Sequence, residues 1–123
     1  MIVTSWNIRG LNIQGKQRYL TERLRKEKPQ LMLLQETKTT GGKLDEILSK
    51  MKPRYEGMAI DARGSAGGIA ILWNPAEVIV DYWIGMQCIL TGRFCLIGTK
   101  HWFFLLAVYG SHIQLKRKTS SKG

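Results

Sequence analysis

The sequence predicts an α/β (α+β) fold, in which one mixed β-sheet carries helices on one face. Four consecutive apolar residues, 31–34, are typical of a strand that is buried on both faces. Segments of helical composition lie before and after this strand, at 16–27 and 43–51. After Pro53 the pattern changes to a succession of short apolar strands. Alternating strands and helices followed by strands alone therefore predict a single domain of this class.

The first three elements are defined by composition and by one proline. The β-prone start Ile2-Val3-Thr4 opens a strand at 2–8. The helix at 16–27 has apolar residues on one face and a favourable acid–base pair four residues apart on its surface. Pro29 ends this helix, because the residue before a proline avoids helical geometry. The buried strand then runs over 31–36.

The second helix and the later strands follow from periodicity and turn residues. Apolar residues recur at i, i+3, i+4 and i+7 over 43–51, with Thr39 or Thr40 as the candidate N-cap. Pro53 closes this helix, and Gly92 is a candidate bulge in the strands that follow. The remaining strands are predicted at 55–60, 69–73, 77–84, 87–97 and 102–109, with a tight turn at 98–100.

Composition limits the class of protein and its partners. A chain of 123 residues with 44% hydrophobic and 23% charged residues fits one globular domain with a real core. No apolar run reaches the ~20 residues that span a bilayer, and no secretory leader is visible, so we expect an intracellular protein without a membrane partner. The formal charge of +10 favours a polyanionic partner, nucleic acid first.

The cysteines and histidines do not indicate a metal site or a disulfide. If Cys88 and Cys95 share one strand, their odd separation puts them on opposite faces, where they cannot pair. We therefore expect two buried free thiols in a reducing compartment. His101 and His112 do not complete the four closely spaced ligands of a zinc site.

Polar residues that follow the buried strand are the first functional candidates. Glu36 and Lys38 stand at its carboxyl end, which is where open α/β sheets bind ligands. Taken alone, Glu36 is better explained as the point at which the strand meets water. Four segments add to it in order along the chain: SWNIRGLN at 5–12, LLQETK at 33–38, GSAGGIAILWNP at 64–75 and AVYGSH at 107–112.

These four segments resemble motifs of the endonuclease/exonuclease/phosphatase (DNase I-like) superfamily, and most closely the endonuclease domains of plant non-LTR (LINE-type) retrotransposons. The resemblance implies a four-layer αββα sandwich, of which this chain supplies roughly half. It implies magnesium-dependent nicking of DNA, with Glu36 as the metal ligand. It also implies that Asn7 positions the metal-site glutamate and the phosphate, and that Tyr109 contacts the scissile phosphate. The resemblance further implies that the protein, if functional, acts in the nucleus.

Two departures from the family pattern concern single positions. Arg9 stands where many relatives have an acidic residue, and retrotransposon relatives often carry arginine there. Ser111 replaces a proline. Without the family resemblance, Asn7 is interpreted as a turn residue at the end of a strand. Tyr109 is then interpreted as a core aromatic residue whose hydroxyl contacts water.

A larger departure is that several family segments have no counterpart in the sequence. Asp-x-Asn does not occur, and neither histidine follows an aspartate. Three hypotheses stay open: a catalytically incomplete endonuclease-like domain, a basic module that binds nucleic acid without cutting it, and a remnant without function. Metal-dependent nicking separates the first two, and salt-sensitive DNA binding separates the last two.

The predicted domain covers 1–112, and 113–123 form a basic tail. Arg9, Lys38 and Arg63 are the candidate contacts to a nucleic-acid backbone, through charge and without sequence preference. The glycine-rich loop at 64–68 is not a P-loop and is interpreted as a tight entry to the next strand. A sheet that lacks its covering sheet exposes apolar strands such as 103–108, so we expect self-association.

Overall fold

The computed structural model describes residues 1–62, 67–86 and 88–108, together with the backbone of 112–116. Arg63 and Tyr109, two of the candidate site residues, lie outside the described residues. Within the described ranges, the elements in chain order are β1 (Val3–Asn7), α1 (Lys16–Glu27), β2 (Leu31–Gln35), α2 (Lys43–Ser49), β3 (Glu56–Ile60), β4 (Ile69–Trp73), β5 (Val78–Met86), β6 (Ile89–Leu96), β7 (His101–Val108) and β8 (His112–Lys116).

The strands form two sheets. The first has the order β1-β2-β4-β3, with β1 and β2 parallel and the other neighbours antiparallel. The second is antiparallel, with the order β5-β6-β7-β8. The α/β class is confirmed, but the strands after Trp73 form a sheet of their own and do not extend the first. A turn at Asn74, whose side-chain Oδ1 accepts a hydrogen bond from the Ala76 N–H, redirects the chain there.

The two central strands of the first sheet, β2 and β4, are buried on both faces because their side chains alternate between two cores. Met32 and Leu34 of β2 point to the helices, where they meet Leu24 and Ile47. The intervening Leu31 and Leu33 point to the second sheet. The layers are therefore helices, first sheet and second sheet, which matches part of the αββα arrangement that the sequence led us to expect.

The inner face of the first sheet is not exposed, contrary to the basis on which self-association was predicted. The second sheet covers it with Phe94, Phe103, Leu105 and Ala107, all of which are buried. The ring of Phe94 packs on that of Phe103, with centroids 5.7 Å apart. Aromatic pairs of this kind contribute about 0.5–1.5 kcal/mol beyond their buried area. Large apolar side chains that stay exposed on the second sheet, such as Ile84 and Met86, lie on its opposite side.

Tyr55 joins the start of β3 to the end of α1. Its buried hydroxyl donates a hydrogen bond to the carbonyl oxygen of Pro29 at 2.6 Å. Burial, followed by the negative charge of Glu77, raises the pKa of Tyr55 to about 12, because both disfavour the phenolate. The phenol thus stays protonated and satisfied inside the helix-side core.

Several local predictions were wrong in detail. The helix α2 begins after Gly42, in left-handed conformation, and neither Thr39 nor Thr40 caps it through its side chain. The irregularity of the second sheet lies between Val80 and Tyr82 of β5, not at Gly92. A left-handed glycine replaces a threonine cap because it turns the chain into the helix without a Cβ penalty.

The cysteines and the end of the chain also differ from expectation. Both thiols are free, but Cys88 is exposed in the turn before β6, and only Cys95 is buried. The strand His112–Lys116 pairs with β7 where a basic tail was predicted to begin. In the described part of the chain, no helix is long and apolar enough to cross a membrane.

Candidate active site

The parallel pairing of β1 with β2 brings the candidate site residues Asn7 and Glu36 together. Asn7 lies opposite Gln35 at the carboxyl ends of the two strands, so Glu36 follows at the same edge. The Asn7 side-chain Nδ2 donates a hydrogen bond to Oε2 of Glu36 at 2.5 Å. Asn7 is exposed and Glu36 is half-buried. The carboxylate of Glu36 is therefore both oriented by Asn7 and reachable from solvent.

The two chain segments stay hydrogen-bonded beyond the ends of the strands. The backbone N–H of Gly10 donates to the carbonyl of Glu36 at 2.7 Å, and that of Leu11 donates to Thr37 at 2.9 Å. Leu11 and Thr37 are both fully buried, which anchors the loops on either side of the carboxylate. The backbone around Glu36 is therefore fixed by the sheet and is not a free loop.

Three residues with side chains hold unusual backbone conformations at this edge. Arg9, Glu36 and Lys38 have φ values of 54°, 54° and 53°, in the left-handed region. Such conformations cost about 1–3 kcal/mol each and occur preferentially where function requires a fixed geometry. All three were functional candidates from sequence, so strained backbone and candidate chemistry coincide here.

A pair of glycines from the loop before β4 presses against Glu36. The N–H groups of Thr37 and Lys38 donate to the carbonyls of Gly68 and Gly67, at 3.3 and 2.5 Å. A Cβ atom at Gly67 would lie 3.1 Å from Cα and 3.2 Å from Cγ of Glu36. Only a residue without a side chain fits this contact without displacement, so the Gly67 backbone packs directly against Glu36.

Gly68 serves the same contact through its backbone conformation. Its φ is +85°, and an added Cβ would lie 2.6 Å from the Thr37 Oγ1 atom. The hydroxyls of Thr37 and Thr39, both buried, lie 3.5 Å apart within hydrogen-bond distance. Sequence reasoning interpreted this loop only as an entry to a strand and missed its contact with Glu36. The adjacent glycines are the signal, but they do not identify their partner in space.

Of the three basic candidate residues, Arg9 and Lys38 belong to the part of the chain that the structure describes. Arg9 and Lys38 are exposed on the two loops that flank Glu36. The Lys38 side chain reaches over the Arg9 loop, where its Cδ lies 3.8 Å from the Cβ position of Gly10. The structure thus brings Asn7, Glu36, Arg9 and Lys38 to one edge of the first sheet.

Glu36 is the carboxylate that the described residues place at this edge for a metal ion. Among the described residues no three side chains of His, Cys, Asp or Glu are close enough to hold a metal ion together. Glu36 with its asparagine partner nevertheless offers carboxylate oxygens, the ligand type that hard divalent cations take, often one or two carboxylates with waters and phosphate oxygens. The described residues therefore fit a weak, water-rich cation site.

Comparison with known families and structures gives a consistent result. Residues 4–106 match the model of the Endonuclease/Exonuclease/phosphatase family. The comparison with curated protein sequences found no match.

Solved structures of several other proteins have the same fold. The human Nocturnin catalytic domain with bound sulfate superposes with a TM-score of 0.65 at 14% identity, over 86% of this chain and 48% of that one. A humanized D. rerio TDP2 superposes with a TM-score of 0.63 at 15% identity, over 91% of this chain and 49% of that one. The AP endonuclease of Leishmania major superposes with a TM-score of 0.58 at 18% identity, over 87% of this chain and 39% of that one. The chain thus spans about half the length of these structures or less.

Proposed function

Because the chain belongs to the endonuclease/exonuclease/phosphatase family, we propose that its strand-end site serves the metal-assisted hydrolysis of phosphodiester bonds in nucleic acid. The observation that carries this proposal is the hydrogen bond from Asn7 to Glu36 at the adjacent ends of β1 and β2. It orients a reachable carboxylate at the sheet edge where α/β proteins bind ligands. The retrotransposon type and a nuclear site of action, which the four motifs favour, are part of the same proposal.

Glu36 is the residue that holds the divalent cation in this proposal, and magnesium is the expected ion. When bound, such a cation neutralises phosphate charge and lowers the pKa of a coordinated water. The chain's own residues do the rest of the positioning. The Asn7 amide orients the carboxylate of Glu36, and the Gly67 backbone, which packs against Glu36, limits the movement of its side chain. One protein carboxylate gives low affinity, since magnesium gives up its waters reluctantly.

Phosphate binding is assigned to the cations around the carboxylate. Arg9 and Lys38 flank Glu36 from two loops and are both exposed. They supply attraction to a nucleic-acid backbone without reading its sequence. Arg63 keeps the role that its charge favours, as a contact to the nucleic-acid backbone, and Tyr109 keeps the scissile-phosphate contact that the family motif implies.

We further propose that the 123-residue chain binds the cation but does not complete the reaction. Its sequence has no Asp-x-Asn segment and no Ser-Asp-His segment. A water nucleophile then lacks a base that orients it and groups that stabilise the leaving oxygen. Losing a single preorganised electrostatic group costs ~10²–10³ in rate, and several are missing. Nicking of supercoiled plasmid is expected to stay at background with magnesium or manganese.

The test separates cation binding from catalysis. Manganese binding is measured by electron paramagnetic resonance, where bound ion loses its free-ion signal, and nicking is measured on the same samples. Glu36→Gln is expected to abolish the weak binding, because it removes the one carboxylate. Glu22→Gln is the matched control, since Glu22 is an exposed helix residue paired with Arg18.

Two outcomes contradict these proposals. Manganese binding that Glu36→Gln leaves unchanged shows that the cation lies elsewhere. Plasmid nicking by the wild-type chain that Glu36→Gln abolishes shows that the site is catalytically complete, with residues from within the chain or from a second copy.

A second candidate function is binding of nucleic acid without cleavage. The formal charge of +10 and the exposed pair Arg9 and Lys38 favour it. Non-specific binding lies at about 10⁻⁴–10⁻⁶ M and weakens steeply as salt is added. Titration of labelled duplex DNA at two salt concentrations tests this directly. An affinity that does not change with salt concentration, or that is much higher for one DNA sequence, contradicts this second candidate function.

A further inference from the structure

Two aromatic side chains, Trp6 of β1 and Tyr19 of α1, line an open cleft between this strand and this helix. Their ring centres lie 5.2 Å apart, with the ring planes inclined by 37°. Trp6 is half-buried against the helix-side core, whereas Tyr19 is 56% exposed. The cleft has a volume of about 460 Å³, and its other lining residues are Gln14, Gly15 and Lys16. This volume lies within the range of pockets that bind small organic groups.

The aromatic pair is held in position by its own neighbours. The Arg23 guanidinium lies 4.9 Å from the ring centre of Trp6, and its Nε donates a hydrogen bond to Oε2 of Glu27 at 2.9 Å. The Trp6 ring is therefore confined between Arg23 and Tyr19. The lining residues all lie within residues 6–19, so every wall of the cleft comes from β1, α1 and the loop that joins them.

Resting on the proposed function, we propose that this cleft takes the base of an unpaired nucleotide, so that the preferred substrate class is nucleic acid with a single-stranded segment. The exposed ring of Tyr19 is the stacking surface, and stacking accepts any base because every base has a π-face. Gln14 is exposed at the same cleft, and its amide can both donate to and accept from a base edge. A base inside a duplex is stacked and paired already, so it must leave the helix to enter such a cleft.

The charge beside the aromatic pair favours a nucleotide as the ligand. The Lys16 ammonium lies 5.8 Å from the ring centre of Trp6. Within the described part of the chain Lys16 forms no salt bridge, so its charge is available to a phosphate group. Helix α1 as a whole has five Lys or Arg residues against two Glu residues. A basic surface that carries an aromatic ring is the combination by which single strands are bound.

The orientation of α1 favours nucleic acid over an anionic lipid surface. Leu20 and Leu24, on the apolar face of this helix, are buried in the protein core. A helix that lies in a membrane interface instead inserts its apolar face among the lipids. Tyr19 is the large apolar side chain that α1 leaves exposed.

The cleft is close to the candidate active site. Trp6 directly precedes Asn7 in β1, so their Cα atoms lie about 3.8 Å apart. Their side chains point to opposite faces of the first sheet. A strand that passes the end of β1 can therefore have one phosphate near Glu36 and the base of a nearby nucleotide in the cleft.

Fluorescence anisotropy on the full chain, with a single-stranded oligonucleotide and with the blunt duplex of the same length, tests the proposal. The wild type is expected to bind the single strand more tightly at equal salt, although the duplex has the higher charge density. Tyr19→Ala is expected to weaken single-strand binding about 5- to 150-fold, which corresponds to about 1–3 kcal/mol for one stacked base, and to leave duplex binding unchanged. Tyr19→Phe keeps the ring and is expected to bind as the wild type does.

Controls separate this inference from a change in fold and from the proposed function. Tyr82→Ala is the matched control, because Tyr82 is 51% exposed on β5 of the second sheet. Thermal unfolding of each variant shows whether the fold is intact. Manganese binding by Glu36→Gln reports on the proposed function alone, whereas the ratio of single-strand to duplex affinity in Tyr19→Ala reports on the cleft alone. Either measurement can therefore fail while the other holds.

Two results overturn the proposal. The first is a wild-type chain that binds the single strand no more tightly than the duplex. The second is a Tyr19→Ala variant that stays folded and keeps the wild-type preference for the single strand. Binding to vesicles of anionic lipid that Tyr19→Ala abolishes, by a chain without single-strand preference, assigns the cleft to a lipid surface instead.

Discussion

Substitution of Gly67 by alanine tests whether the loop before β4 holds the candidate carboxylate in place. Gly67 has no left-handed φ, so alanine meets no backbone penalty there, and the whole effect comes from the new methyl group. That methyl would lie 3.1, 3.2 and 3.3 Å from Cα, Cγ and Cβ of Glu36. Each distance is shorter, by about 0.2–0.9 Å, than the 3.5–4.0 Å of a relaxed carbon–carbon contact.

The structure gives the expected size of the effect. Overpacking by one methyl group costs about 1–3 kcal/mol when its neighbours are held by backbone. Glu36 is so held, through the hydrogen bond from Gly10 to its carbonyl. A loss of 1 kcal/mol lowers the melting temperature by about 4 °C in a domain of this size. Because Glu36 itself is displaced, manganese binding should weaken more than a stability loss alone explains.

The assay compares Gly67→Ala with Gly98→Ala. Gly98 lies in the turn between β6 and β7, and a Cβ there meets nothing within 4 Å. We expect Gly98→Ala to leave melting temperature and manganese binding unchanged. If Gly67→Ala matches wild type in both measurements, the loop does not support the carboxylate, and the positioning role is wrong.

Three further predictions concern stability and charge. Tyr55 has a pKa of about 12 against an ordinary value of 10.0, so its phenol stays protonated longer in the folded state than in the unfolded state. The free energy of unfolding should therefore be unaffected below pH 10 and fall by about 2–3 kcal/mol as the pH rises to 12. Urea titrations of Tyr55→Phe should not show this loss. Gly57→Ala should cost about 1–3 kcal/mol, since its Cβ would lie 2.8 Å from Leu48 Cδ1, and an unchanged denaturation midpoint would show that α2 shifts freely. Replacing both Arg9 and Lys38 by glutamine should reduce the slope of log K against log salt for duplex DNA by about 2, and an unchanged slope would place the phosphate contacts elsewhere.

Much of the first sheet could be predicted from the sequence because its signals are local. Pro29 and the apolar run after it define β2, and the turn residues before Ile69 define β4. The pairing of Asn7 with Glu36 followed from two motifs, each placed at the end of a strand. The parallel register that joins them is set by the crossover through α1, which the composition of residues 16–27 made visible.

The division into two sheets could not be predicted in the same way. β4 ends at Trp73 and β5 begins at Val78, and a short connection of this kind is equally compatible with one continued sheet. What separates them is the fit of Phe94 and its neighbours against Leu31, Leu33 and Ile71, which are far apart in sequence. The contact of Gly67 with Glu36 is hidden for the same reason, since glycine gives no sign of what its missing side chain leaves room for.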